Sequence, residues 1–124
     1  MSVAIGIGCR KGCPARAIEA LVRRALAGVV DAPLGLFTLA DKRGEPGLVK
    51  AADLLELSLT YLSREALRTR DGDIQTRSER AESLFGVPSV AEAAALAGAG
   101  PGSVLIVPRI AEGGATCAIA GLAP

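Results

Sequence analysis

The chain contains no histidine and no tryptophan, and its 124 residues include only one tyrosine, two phenylalanines and one methionine. Histidine is the commonest general base and the commonest transition-metal ligand at neutral pH, so its absence removes many enzyme mechanisms at once. The three cysteines, Cys9, Cys13 and Cys117, are an odd number in a chain without secretory features, which argues against a disulfide framework. Cys9 and Cys13 alone are too few ligands for a structural metal, so no metal or cofactor is expected. A formal net charge of +1, no basic block and 2% aromatics leave nothing that would hold nucleic acid. The longest apolar runs, residues 102–108 and 115–123, fall well short of the ~20 residues that cross a bilayer. Arg10 and Lys11 break the first apolar run before any signal-peptide cleavage site. The expectation is a cytoplasmic protein that engages neither nucleic acid nor membrane.

Half of the residues are hydrophobic, and with so few aromatics the core must come from Ala, Val, Leu and Ile. One domain spanning residues 1–124 is expected. Val3, Ile5 and Ile7 alternate with small residues, predicting a buried strand over Ser2–Cys9. A helix opening at Pro14 follows, with Ala15, Ile18, Leu21, Val22, Ala25, Leu26 and Val29 as its apolar stripe. The same reasoning predicts strands at 34–39, 58–62, 103–107 and 115–120, and helices at 46–57 and 63–68. Ser89 caps a further helix, over 91–97, with Glu92 positioned to complete a reciprocal capping box. Residues 69–82 are polar and lack clear periodicity, so they read as a mobile surface loop that could act as a lid.

Strands separated by helices imply a three-layer α/β/α domain, with a mainly parallel sheet of about five strands and an antiparallel C-terminal hairpin at its edge. Ligands of such sheets bind where loops leave the C-terminal ends of the strands. Those exit loops hold Arg10, Lys11, Lys42, Arg43, Arg64 and Arg109, so one edge should attract anions, helped by the helix N-termini beside it.

The segment Gly6-Ile7-Gly8-Cys9-Arg10-Lys11-Gly12 resembles a dinucleotide turn only loosely. Its third glycine falls one residue late, and Asp31 precedes the second strand where a ribose-binding acid should follow it. Cys13 at a helix start could be reactive but has no histidine to activate it. In Lys42-Arg43-Gly44-Glu45-Pro46-Gly47-Leu48, a Lys–Glu pair beside a helix N-terminus could hold a carboxylate or move a proton, or the segment could be an exposed turn.

These two segments, together with Val87-Pro88-Ser89-Val90-Ala91-Glu92-Ala93-Ala94-Ala95, make the chain resemble the CobE/CbiG C-terminal family of cobalamin biosynthesis over nearly its whole length. Two residues separate Lys42 from Glu45 here, one more than the family's tighter spacing. The resemblance implies a three-layer α/β domain acting in corrin-ring synthesis. It also implies a corrin or precorrin ligand, whose acetate and propionate groups suit the basic edge. The candidate ligand-binding residues are Gly8, Cys9, Arg10, Lys11, Gly12, Lys42, Glu45, Gly47 and Ser89, with Lys42 and Glu45 also candidates for catalysis. Three roles fit: an accessory or carrier that binds a corrin precursor, a hydrolase opening the lactone of a cobalt-precorrin-5A-type intermediate, or an assembly subunit contacting other pathway enzymes.

Overall fold

The alternation of Val3, Ile5 and Ile7 with Ala4, Gly6 and Gly8 gives the first strand two unlike faces. In the computed structural model, which describes residues 2–122, this segment is β1 (Ser2–Cys9), the middle strand of the sheet. Its branched side chains join Leu36 of β2 (Ala32–Leu39) and Ile119 of β5 (Ala115–Leu122). Over them lie α1 (Ala15–Leu26) and α2 (Pro46–Leu55). α1 buries Ile18, Leu21, Val22 and Ala25, one stripe of a 3.6-residue period, and Pro14 stands at its N-cap, so the helix starts one residue later than expected.

The other face is built differently. A side chain at Gly6 would collide with the Ala91 carbonyl oxygen of α5 (Val90–Ala99), so the helix backbone rests directly on the strand. Alanines at 91, 93, 94 and 95, all fully buried, make that approach possible. Leu67 of α3 (Arg64–Arg68) and Phe85 of α4 (Glu79–Phe85) pack beside Val90, Ala93 and Ala94 on this face. The three layers are as expected.

The five-stranded sheet has the order β3-β2-β1-β5-β4, with β3 (Leu59–Leu62) and β4 (Ser103–Glu112) at its edges. β1, β2 and β3 pair in parallel. The C-terminal hairpin occupies one edge and docks through its second strand: β5 runs antiparallel to β1, pairing Cys9 with Ala115, while β4 lies outside it. The hairpin turn therefore returns to the end of the sheet where β1 exits. β4 runs past the expected residue 107 because Pro108, which has no N–H to donate, is tolerated on an edge strand beside a register shift.

Residues 69–82 differ from the expected structureless loop. They contain a 3-10 turn (Asp71–Asp73) and the start of α4, whose first turn is capped by Ser78. Two anchors explain the order: the largely covered Arg70 donates to the Leu96 and Gly100 carbonyls, and the main-chain N–H groups of Gln75 and Thr76 donate to the buried Glu92.

Candidate functional site

At the C-terminal end of β1 the chain opens a cavity of about 560 Å³, within the span of roughly 300–1,000 Å³ common for small-molecule sites. β1 and its exit loop contribute Gly8, Cys9, Arg10 and Lys11, and the turn after β2 contributes Lys42. α4 supplies Arg80, Ala81, Leu84 and Phe85, and the start of α5 supplies Ser89 and Val90. The β4–β5 hairpin closes the ring with Arg109, Glu112 and Thr116 among others. The hairpin, α4, the start of α5 and the loop that leaves β1 thus enclose the cavity together.

Five cations line it, Arg10, Lys11, Lys42, Arg80 and Arg109. Their single acidic neighbour in the lining, Glu112, is bound by Arg24. Of the fourteen Lys and Arg residues, six form ion pairs with carboxylates among the described residues, and none of those six lines the cavity. Lys42 Nζ lies 4.8 Å from the centroid of the Phe85 ring, a contact that orients the ammonium without neutralising it. The cavity is thus where uncompensated positive charge collects.

Six of the nine expected ligand-binding residues line this cavity: Gly8, Cys9, Arg10, Lys11, Lys42 and Ser89. The other three, Gly12, Glu45 and Gly47, do not line it. Glu45 accepts the Gly12 main-chain N–H on Oε2 at 2.9 Å, tying the two exit loops together. A side chain at Gly47 would strike the Cys13 carbonyl oxygen, so that glycine serves the close packing of two helix starts. No Lys42–Glu45 ion pair forms among the described residues, because the two side chains leave the turn toward different partners. Arg43 turns aside onto Tyr61, 4.7 Å from its ring centroid, and Arg64 binds Asp41 at 2.6 Å.

The capping box at α5 is half formed. Ser89 Oγ accepts the Glu92 N–H at 3.2 Å as expected, but the Glu92 carboxylate does not return to Ser89. It is fully buried and accepts three other main-chain N–H groups, from Gln75 at 2.8 Å, Thr76 at 2.9 Å and Arg109 at 2.9 Å. Burial pushes this carboxyl up, yet the hydrogen bonds from Arg109, Thr76 and Gln75 outweigh it and hold it below its ordinary value. One side chain thereby joins α5 to the segment preceding α4 and to the hairpin residue that carries the Arg109 cation.

All three cysteines are free thiols. Burial pushes Cys9 up to about 11, with Lys42 pulling in the opposite direction, so this cavity thiol stays protonated at neutral pH. Among the described residues no cluster of Cys, Asp and Glu could hold a metal ion. Nor is any helix long and apolar enough to cross a membrane. Sequence reasoning missed the α4 wall, although Ala81, Leu84 and Phe85 at helical spacing were a readable signal.

The model of the family described as "Cobalamin synthesis G C-terminus" matches residues 3–120. The chain belongs to this family. Among its relatives is Protein CobE of Sinorhizobium sp, 37% identical over 120 residues, an alignment covering 94% of this chain and 78% of that one. The crystal structure at 1.7 Å resolution of CobE, a protein from the cobalamin (vitamin B12) biosynthetic pathway, superposes with a TM-score of 0.89 at 35% identity. That comparison covers 98% of this chain and 90% of the other. The cobalamin biosynthesis protein chiG from Agrobacterium tumefaciens str. C58 gives a TM-score of 0.77 at 40% identity, covering 98% and 99% of the two chains. This member of the cobalamin synthesis G C-terminus family is a CobE/CbiG-like cobalamin biosynthesis protein.

Proposed function

We propose that the protein binds a corrin-ring precursor in the exit-edge cavity and acts as an accessory or carrier in cobalamin synthesis. The observation that supports this most is the gathering around one cavity of five cations without carboxylate partners among the described residues, beside an apolar wall of Val90, Leu84 and Phe85. A ligand bearing several carboxylates on the rim of an apolar ring matches both halves of that lining. Lactone opening has less support. Glu45 does not line the cavity and already accepts a main-chain N–H, and the cavity thiol is held protonated. The test is titration of the purified protein with metal-free and cobalt-containing corrin precursors, following visible absorption and any lactone opening. Saturable binding that weakens with salt is expected, and Lys42→Ala or Arg10→Ala should reduce affinity by roughly tenfold, since each charged hydrogen bond contributes about 1.5–3 kcal/mol. Absence of corrinoid binding at low ionic strength would remove the proposal.

A further inference from the structure

The helix α4 is an unusual element in this molecule because it buries none of its residues. It is instead held from its two ends. Upstream, Glu92 grips the main chain at Gln75 and Thr76, and the Ser78 N–H donates to the Pro88 carbonyl at 2.7 Å. Downstream, Phe85 lies beneath the Lys42 and Arg64 cations, at 4.8 and 5.7 Å from its ring centroid. Between these fastenings, Arg80, Ala81, Leu84 and Phe85 line the cavity, and Leu84 remains 53% exposed. The acids of this helix, Glu79 and Glu82, do not line it, and Arg80 has no ion-pair partner among the described residues. An amphipathic helix normally turns its apolar face to a core, whereas here Phe85 alone packs on one, and Ala81, Leu84 and Phe85 all line the cationic cavity.

Resting on the proposed function, we infer that α4 supplies the specificity of the site: Leu84 contacts the apolar face of the macrocycle, and Arg80 binds a carboxylate on its rim. The occupant is therefore an amphipathic polyanion with a broad apolar face, rather than a small, wholly polar polycarboxylate. Charge complementarity argues for the anion, and the exposed leucine among cations argues for the ring.

Two probes separate these features: cobyrinic acid, a polycarboxylated corrin, and mellitate, a compact polycarboxylate with no such macrocycle. Leu84→Ser should weaken cobyrinic acid binding by roughly fivefold to tenfold and leave mellitate binding unchanged, while Leu84→Met should restore the corrin affinity. Arg80→Ala should weaken both probes. Because Leu84 and Arg80 are exposed, thermal melts of these variants should match the parent. If Leu84→Ser and Arg80→Ala leave corrin affinity intact while Lys42→Ala reduces it, the role of α4 is overturned and the cavity assignment stands. If Lys42→Ala also has no effect, the cavity assignment itself falls, and the role of α4 falls with it.

Discussion

The two ends of α5 treat arginine in opposite ways. At its C-terminal end, Arg70 is nearly buried and almost every donor is used: it bonds the Leu96 and Gly100 carbonyls, Ser103 Oγ and Ser103 O, and it pairs with Asp73 at 3.0 Å. This cation offsets the negative end of the helix dipole and the carbonyls left over there. At the N-terminal end stand Arg10, Lys11, Lys42, Arg80 and Arg109, none with a carboxylate among the described residues. Where the protein supplies the acceptors, the cation is structural. Where the described residues supply none, the charge is left over for the anionic ligand of the proposed function.

Removing the helix from the sheet is the most severe way to break this contrast. Gly6→Val should unfold the domain or destabilise it by about 3 kcal/mol or more, because the Ala91 carbonyl already occupies the space of a side chain and backbone cannot rotate away. Chemical denaturation with circular dichroism measures this, and a parent-like midpoint would show that α5 can retreat.

Arg70→Ala tests one end of the helix alone. The Leu96 carbonyl keeps the Ser103 hydroxyl and the Gly100 N–H, and the Gly100 carbonyl keeps the Ser103 N–H, but all four acceptors lose a charged donor. A loss of about 1–3 kcal/mol in stability is expected, with corrinoid affinity unchanged below the melting transition. Arg10→Ala should do the reverse, leaving the melt unchanged and lowering affinity by roughly tenfold. If both variants moved the same quantity, the distinction between the two ends would be lost.

The pH dependence of Glu92 sharpens the picture further. Its carboxyl is lowered in the folded protein from an ordinary value of 4.5, so the unfolded chain takes up the proton first. The stabilisation is fully present above that value and is lost as the pH falls through the lower folded value. Glu92→Gln should flatten the acid limb of a stability-against-pH curve, because an amide has no proton to gain. It should also speed hydrogen exchange at the Gln75, Thr76 and Arg109 amides. An unchanged acid limb would assign that stability to other carboxylates.

The smallest effect concerns Cys9. A thiol raised to about 11 is scarcely ionised at pH 7.5, so iodoacetamide should label it far more slowly than an unfolded-chain cysteine, as mass spectrometry of the native and denatured protein would show. Rapid native labelling would mean that Lys42 governs this thiol more strongly than burial does.

Much of this architecture was legible in the order of residues alone. Alternation in Ser2–Cys9, the stripe of α1, Pro46 at the start of α2 and Ser89 before α5 are local patterns, and periodicity of two or 3.6 is dictated by backbone geometry regardless of context. The cluster of exit-edge cations followed from the same local reading combined with strand direction. Tertiary structure alone decided which cations stay unpaired, since partners such as Arg24 and Glu112 lie 88 residues apart in the chain. It decided that Gly47 makes room for Cys13, and that Glu92 serves Gln75, Thr76 and Arg109 instead of its own helix cap. It also decided that α4, whose first four residues fell within the polar segment read as a loop, lines the cavity. Local pattern sets what each segment can become, but a buried carboxylate or a free cation is defined by neighbours that only the folded chain brings within hydrogen-bonding distance.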